Sequence, residues 1–365
     1  MLAGCALPAV PAGPPAAEPA AALESQARAD AATEALVARF WMADASDFAE
    51  CWPSSGRPTG YWTYAQALDA VLDAAERSGE ARWVELVRTM IDAQDRRGWL
   101  RDYFDDEGWM ALALLRAHDL TGDAGYLARA AALVDDVAWN AADATCCGAT
   151  PGGLWWDRAH TQKATASNAV PAIAAARLYE RTGEWRWLDL ARRTYGWWLE
   201  NMVDRASGQV ADHVLPSGEK VWWRFSYDGG AMIGAALALH RATGEAAYLA
   251  DARRLAAFLV AEQTRPTPFG NVLFDGASCS GDCDQFKGIA HRYLAALAAA
   301  EPELPGLSAL LHADAEAVWT LARDPATGTF GVDWGAPPGT RTSLAAQTSA
   351  AMVLNLAASA ERAAR

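Results

Sequence analysis

Apolar residues recur every three or four positions along most of the chain, and these runs come in pairs. Four pairs share one grammar: an apolar helix, a Ser/Thr-Gly-acid turn, then a second helix opened by an aromatic residue. The turns are Ser78-Gly79-Glu80, Thr121-Gly122-Asp123, Thr182-Gly183-Glu184 and Thr243-Gly244-Glu245. The second helices continue as Trp83-Val84, Tyr126-Leu127, Trp187-Leu188 and Tyr248-Leu249. Each Gly suits the left-handed residue that ends a helix, and each acid suits the start of the next. The first helices open near Trp62, Trp109, Asn168 and Gly230. A fifth pair is predicted from about Phe286 to Ala300 and from Leu307 to Leu321, turning over Pro302–Gly306. A last helix over about Ser343–Ala360 lacks a downstream partner, and the N-terminal helix near Ser25–Met42 fills that place. Six hairpins closing into a ring give an all-α (α/α)6 barrel. Period-two runs compete only around Val210–Val214 and Val221–Phe225.

The connections are lopsided. Turns inside a hairpin take a few residues, whereas those between hairpins are long, spanning roughly 141–165, 203–227, 265–284 and 324–342. All of these must lie at the end where the inner helices begin. Long loops over one face of a rigid scaffold are where sites are built, and helix N-termini point partial positive charge at that face.

Composition narrows the function. Formal charge is −14 and the pI about 4.9, which disfavours nucleic acid and anionic membrane surfaces. Nothing approaches a membrane-spanning apolar run. The 17 Trp outnumber both the 9 Phe and the 9 Tyr. Trp83, Trp185, Trp187, Trp197, Trp198 and Trp319 fall on outer helices and are expected to pack. Trp156, Trp223 and Trp334 fall on the loop face and are candidates for stacking on sugar rings. Trp155 and Trp156 cannot both face inward from an extended loop.

The six cysteines favour an oxidising compartment, so an extracytoplasmic location is expected. Cys279 and Cys283 are spaced to close a small disulfide ring, and Cys51 is a candidate partner for Cys146 or Cys147. A zinc site from Cys146, Cys147, Cys279 and Cys283 lacks the usual paired spacing. Leu2-Ala3-Gly4-Cys5 resembles the lipobox of bacterial lipoproteins, although the charged and apolar regions of a signal peptide do not precede it. This implies Cys5 as a lipidated residue, residues 1–24 as a Pro/Ala-rich tether, and residues 25–365 as one barrel domain. An ordinary flexible tail is the alternative.

The chemistry-bearing run is Tyr103-Phe104-Asp105-Asp106-Glu107-Gly108-Trp109, opening the second inner helix. Acids there could simply cap the helix. They also suit glycosidic cleavage, which uses one carboxylate as nucleophile or base and another as acid. A helix N-terminus would hold one Asp ionised while its charge raises the pKa of the other. No His-Glu-x-x-His cluster or phosphate loop is present, so neither metal nor cofactor is expected.

Five ordered motifs resemble glycoside hydrolase family 76, the endo-α-1,6-mannanases. They are Gly60-Tyr61-Trp62, Tyr103 to Leu114, Gly152 to Asp157, Asn168 with Arg177-Leu178-Tyr179, and Phe286-Lys287-Gly288-Ile289 with Arg292-Tyr293-Leu294 after Cys279 and Cys283. The likeness spans roughly residues 35–345. It implies retaining hydrolysis of α-1,6-mannosidic linkages, with Asp105 as nucleophile and Asp106 as acid/base. Substrate-binding candidates are Tyr61, Trp62, Tyr103, Trp109, Trp156, Asp157, Asn168, Tyr227, Asp228, Phe286 and Lys287. At Asp228 the chain departs from the Asn-Gln more usual in the family, and at Met110 from a second aromatic. A mannan-type polysaccharide or oligosaccharide is the expected partner, and the chain is expected to act as a monomer. The rivals are another (α/α)6 sugar enzyme, such as a transglycosylase or one acting on a different α-mannoside, and a non-catalytic glycan-binding surface lipoprotein.

Overall fold

The computed structural model describes residues 20–276 and 279–363, so the lipobox-like segment around Cys5 lies outside the described residues. Twelve α-helices are present among them. They are α1 (Ala20–Phe40), α2 (Tyr61–Ser78), α3 (Ala81–Arg97), α4 (Phe104–Thr121), α5 (Ala124–Asn140) and α6 (Thr165–Thr182), followed by α7 (Trp185–Asn201), α8 (Ser226–Thr243), α9 (Ala246–Glu262), α10 (Cys283–Ala300), α11 (Leu307–Thr320) and α12 (Leu344–Ala363). The even-numbered helices touch in the order α2, α4, α6, α8, α10, α12 and back to α2, which closes an inner ring. Odd-numbered helices pack outside it, and α1 lies on α12, so the chain's two ends complete the sixth hairpin. The fold is the (α/α)6 barrel read from the sequence.

Local chemistry sets the hairpins. Gly79, Gly122, Gly183 and Gly244 each adopt φ between 70° and 75° at a helix end. Each donates its N–H to the carbonyl four residues back, which satisfies one carbonyl the helix would leave open. The following acid is the residue just before the outer helix. Among the four only Asp123 caps with its side chain, accepting from Gly125 N at 2.8 Å.

The inner helices approach closely because small residues face one another. A Cβ on Gly230 of α8 would lie 2.5 Å from Ala290 Cα of α10, and one on Gly288 would lie 2.8 Å from Ser349 Cα of α12. A buried polar joint locks the seam where the chain ends meet. Arg77 donates to Asn355 at 2.8 Å and to Gln26 at 2.6 Å, and Asn355 donates to Thr33 at 2.9 Å.

The interhelical connections cluster at the end where the inner helices start. Short antiparallel pairs stiffen them: Cys51–Trp52 with Thr342–Ser343, Thr264–Thr267 with Gly270–Leu273, and Lys163–Ala164 with His213–Val214, itself paired with Lys220–Val221. The segment 41–60 is a further long connection over the same face, carrying the pair Trp41–Met42 with Asp47–Phe48. Cysteine pairing differs from one expectation. Cys146 bonds to its neighbour Cys147, Cys279 bonds to Cys283, and Cys51 is a buried free thiol. Cys51 sits beside Arg341 on the α12 side of the ring, whereas Cys146 lies against Pro216 between α5 and α8, so the two are held apart.

Close approach gives a direct test. Gly230→Ala should destabilise the fold by about 1–3 kcal/mol, the usual cost of overpacking. Gly196 lies exposed within α7 with nothing near its added Cβ, so Gly196→Ala should stabilise by roughly 0.5–1 kcal/mol through helix propensity. Thermal melts of the two variants beside wild type check both signs.

Candidate active site

Asp105, Asp106 and Glu107 occupy the first turn of α4 at the loop-covered end of the ring. The loop of residues 152–158 is zipped along the entry to this helix. Phe104 N donates to Trp156 O at 2.8 Å, Arg158 N donates to Asp102 O at 2.9 Å, and Tyr103 bridges to Asp157. This brings the Trp156 indole close to Asp105, where its N–H favours the ionised carboxyl. Tyr103 packs on Trp156 with ring centroids 4.5 Å apart.

The loop is fixed from behind. Lys163, fully buried, donates to Asp143 at 2.8 Å and to the carbonyls of Gly152 and Cys146. Despite its burial, Asp143 is held below the ordinary carboxylate range by hydrogen bonds from Lys163 and Thr145. A Cβ on Gly152 would lie 2.7 Å from the Trp197 ring, so this turn needs glycine both for its φ of 145° and for space.

Three predicted binding residues prove to hold structure instead. Asn168 accepts from Leu154 N at 2.9 Å and donates to Ala164 O at 2.8 Å, which spends its amide on the loop. The Asp157 carboxylate accepts from Thr161 N at 2.8 Å and Thr161 Oγ1 at 2.7 Å. Lys287 is 3 % exposed, its ammonium 5.3 Å from the Trp334 ring and within the field of Asp275 and Asp284. Trp334 is likewise buried, at 1 % exposed, and presents no face to a ligand. The reverse surprise is Trp185, placed among the packing set but 60 % exposed, because it is the first residue of α7 and stands at the rim. Trp155 is buried and stacks on His160 at 5.0 Å, which leaves Trp156 as the member of that pair toward the site.

The remaining candidates gather around the carboxylates. Tyr61 and Trp62 open α2, with Arg101 lying 4.2 Å over the Tyr61 ring. Tyr227 packs on Phe286 at 4.3 Å, Phe286 on Phe225 at 5.0 Å, and Phe225 on the half-exposed Trp223 at 5.5 Å. An aromatic wall therefore runs from α10 and α8 out to the loop 202–225. Trp109, one turn below Asp105, is buried as a floor. Asp228 is buried with neither carboxylate oxygen hydrogen-bonded, and burial together with nearby Asp212 raises its pKa well above the ordinary value.

Sequence reasoning missed Asp282. It lies just before α10, near the Trp62 indole that favours its ionised form, and its charge reaches both Asp105 and Asp106. Its place between the bonded Cys279 and Cys283 was the available signal. Glu107 also gains a distinct position: it is fully buried and accepts from Arg101 N at 2.9 Å and from Arg158 at 2.7 Å. Arg158 in turn reaches Asp136 at 2.7 Å.

Burial and crowding raise both central carboxyls, Asp105 to about 7 and Asp106 to about 8. The causes differ. Burial dominates for Asp105, opposed by main-chain N–H groups at the helix start and by the Trp156 indole. Asp106 carries the added repulsion of Asp105 after burial, eased by Arg101. Asp105 is thus the readier to ionise and Asp106 the readier to hold a proton. Adjacent carboxyls so divided, at the loop-covered end of the ring, have the electrostatics of an acid–nucleophile pair.

The sequence profile of Glycosyl hydrolase family 76 matches residues 24–364. The chain belongs to this family. It is a glycoside hydrolase fold throughout its described length, and solved family 76 structures share its path. An inactive variant of the α-1,6-mannanase of Salegentibacter sp. HEL1_6, in complex with α-1,6-mannotriose, is 28% identical, covers 92% of this chain and 99% of its own, and superposes with a TM-score of 0.82. The Lin0763 protein of Listeria innocua is 26% identical over 93% of this chain and 98% of its own, with a TM-score of 0.85. The family 76 mannosidase Bt3792 of Bacteroides thetaiotaomicron, at 20% identity, 94% and 100% coverage and a TM-score of 0.83, shows the same fold. No curated protein matches the chain.

The raised carboxyls have a consequence for stability. Their folded values lie above the ordinary value of about 4, so between about pH 4 and about pH 8 the unfolded chain holds fewer protons. Stability contributed by the protonated forms is complete below pH 4 and is lost as pH rises through the folded values. Asp106→Asn should therefore melt above wild type at pH 8, with the difference closing toward pH 4. Melting curves across that range would contradict the reading if the variant were less stable at pH 8.

Proposed function

We propose that this family 76 enzyme hydrolyses α-1,6-mannosidic linkages within a mannan-type polysaccharide, with Asp105 as nucleophile and Asp106 as acid/base. The observation that carries the reading is the adjacent carboxyl pair at the α4 N-terminus, with its unequal environments. In a double displacement, Asp105 attacks the anomeric carbon while Asp106 gives its proton to the departing glycosidic oxygen. Asp106 then takes a proton from water, which releases the sugar from Asp105. The Trp156 indole and the N–H groups of the helix start favour the ionised nucleophile, and the charge of Asp105 keeps the proton on Asp106 until it is needed. The α-1,6-mannanase of Salegentibacter is inactive when two adjacent aspartates are changed, which supports the assignment.

Tyr61, Trp62, Tyr103, Trp156, Tyr227 and Phe286 suit sugar binding by stacking and hydrogen bonding, with Trp109 beneath. An extracytoplasmic site of action, lipid-anchored through Cys5 or secreted, fits the two disulfides, and no helix among the described residues is long and apolar enough to cross a membrane.

Wild type should release a range of oligosaccharides from unbranched α-1,6-mannan. Asp105→Ala and Asp106→Ala should each lower kcat/KM by about a hundredfold or more, measured as reducing ends. Proton NMR of the first-formed product should show the α-anomer. A β-anomer would overturn the double displacement, and binding of the polymer without cleavage by wild type would overturn the hydrolase reading.

A further inference from the structure

The ring is hollow behind the catalytic end. A cavity of about 990 Å³ fills its rear half, with Gln66, Trp109 and Ile289 at the inner end and Glu76, Asp119 and Arg362 at the rim where the inner helices finish. Its wall carries seven arginines against four carboxylates, in a chain whose net charge is −14.

Five of those arginines have acidic partners. Arg116 bonds to Asp69, Asp73 and Glu76, and Arg292 to Asp69 and Asp73. Arg181 meets Asp119, Arg241 meets Glu180, and Arg77 meets Asp30. Two do not. Arg362 donates to a main-chain carbonyl, Arg77 O, at 2.6 Å. Arg177 has no hydrogen bond or ion pair for its guanidinium among the described residues. It is half-buried, and burial, with the charges of Arg241 and Arg116, holds its pKa below the ordinary guanidinium value against the opposing influence of Tyr293 and Asp69. Cations in the last helical turns compensate the carbonyl ends of the ring, and that accounts for Arg77, Arg181, Arg241 and Arg362. It does not account for Arg177, six residues inside the Gly183 cap.

A half-buried guanidinium with no hydrogen-bonded partner costs stability unless an anion joins it. The planar fork of arginine matches a tetrahedral oxyanion, donating to two of its oxygens at once. We propose that this rear cavity is a binding site for a phosphate or sulfate group, either free or esterified to a small sugar, with Arg177 and Arg362 as its principal contacts. The volume accommodates a whole hexose monophosphate, since small-molecule sites run to about 300–1,000 Å³. The cavity lining includes Trp109 but neither Asp105 nor Asp106, so it is separate from the carboxyl pair.

The test is calorimetric titration of the full chain with inorganic phosphate and, separately, with mannose 6-phosphate, at constant ionic strength against a chloride control. Wild type should bind at least one of them. Arg177→Met should weaken that binding by about tenfold or more, a large single-contact loss, without lowering the melting temperature of the ligand-free protein. Arg362→Met supplies a second reading at the rim, where the fold is least at risk. Equal binding of both ligands would identify a free oxyanion site, and binding of the ester alone a phosphosugar site. Absence of binding in wild type, or unchanged affinity in both variants, would overturn the proposal.

Discussion

The rest of the structure depends on six inner helices closing a ring with all their N-termini at one end. Each helix carries partial positive charge at its start and partial negative charge at its finish, so the ring as a whole is polar. Acids collect at the starts: Asp105, Asp106 and Glu107 on α4, Asp228 on α8 and Asp284 on α10. Bases collect at the finishes, as Arg77, His118, Arg181, Arg241 and Arg362. The same alternation of short turns and long connections that builds the hairpins sends the loops to the acidic end. Architecture and electrostatics therefore choose one site together.

That polarity only partly offsets the cost of burying acids. Asp105 and Asp106 still sit above the ordinary carboxylate range, and Asp228 has no hydrogen-bond partner for either oxygen. The chain accepts this strain where chemistry needs a proton held beside a negative charge. Elsewhere it satisfies its buried charges, as at Lys163 with Asp143 and at Arg116 with three acids.

The hairpins were legible because a turn glycine with φ near 70° has a local cause and a local signature, the Ser/Thr-Gly-acid run. Ring closure was legible because the last helix lacked a partner and the first could supply one. The identity of the loop supports was not. Asn168 and Asp157 look like sugar ligands in a linear motif, but their polar atoms are spent on main-chain groups brought close only by folding. Trp334 and Trp185 exchanged their expected exposures because burial depends on which way a loop or a first helical residue turns. Asp282 was hidden for a related reason: its neighbours Asp105, Asp106 and Trp62 come from two other helices. The bond between the neighbouring Cys146 and Cys147 departs from the usual spacing of a disulfide, so the sequence carries no signal for it.

One carboxyl of the α4 pair ionises within the field that keeps its neighbour protonated. Carbon-13 NMR of aspartate-labelled protein, with Asp105→Asn and Asp106→Asn used for assignment, follows both carboxyls through a pH titration. Two titrations above the ordinary range are expected, the higher of them lost in Asp106→Asn. Both carboxyls titrating near the ordinary value of about 4 would contradict it.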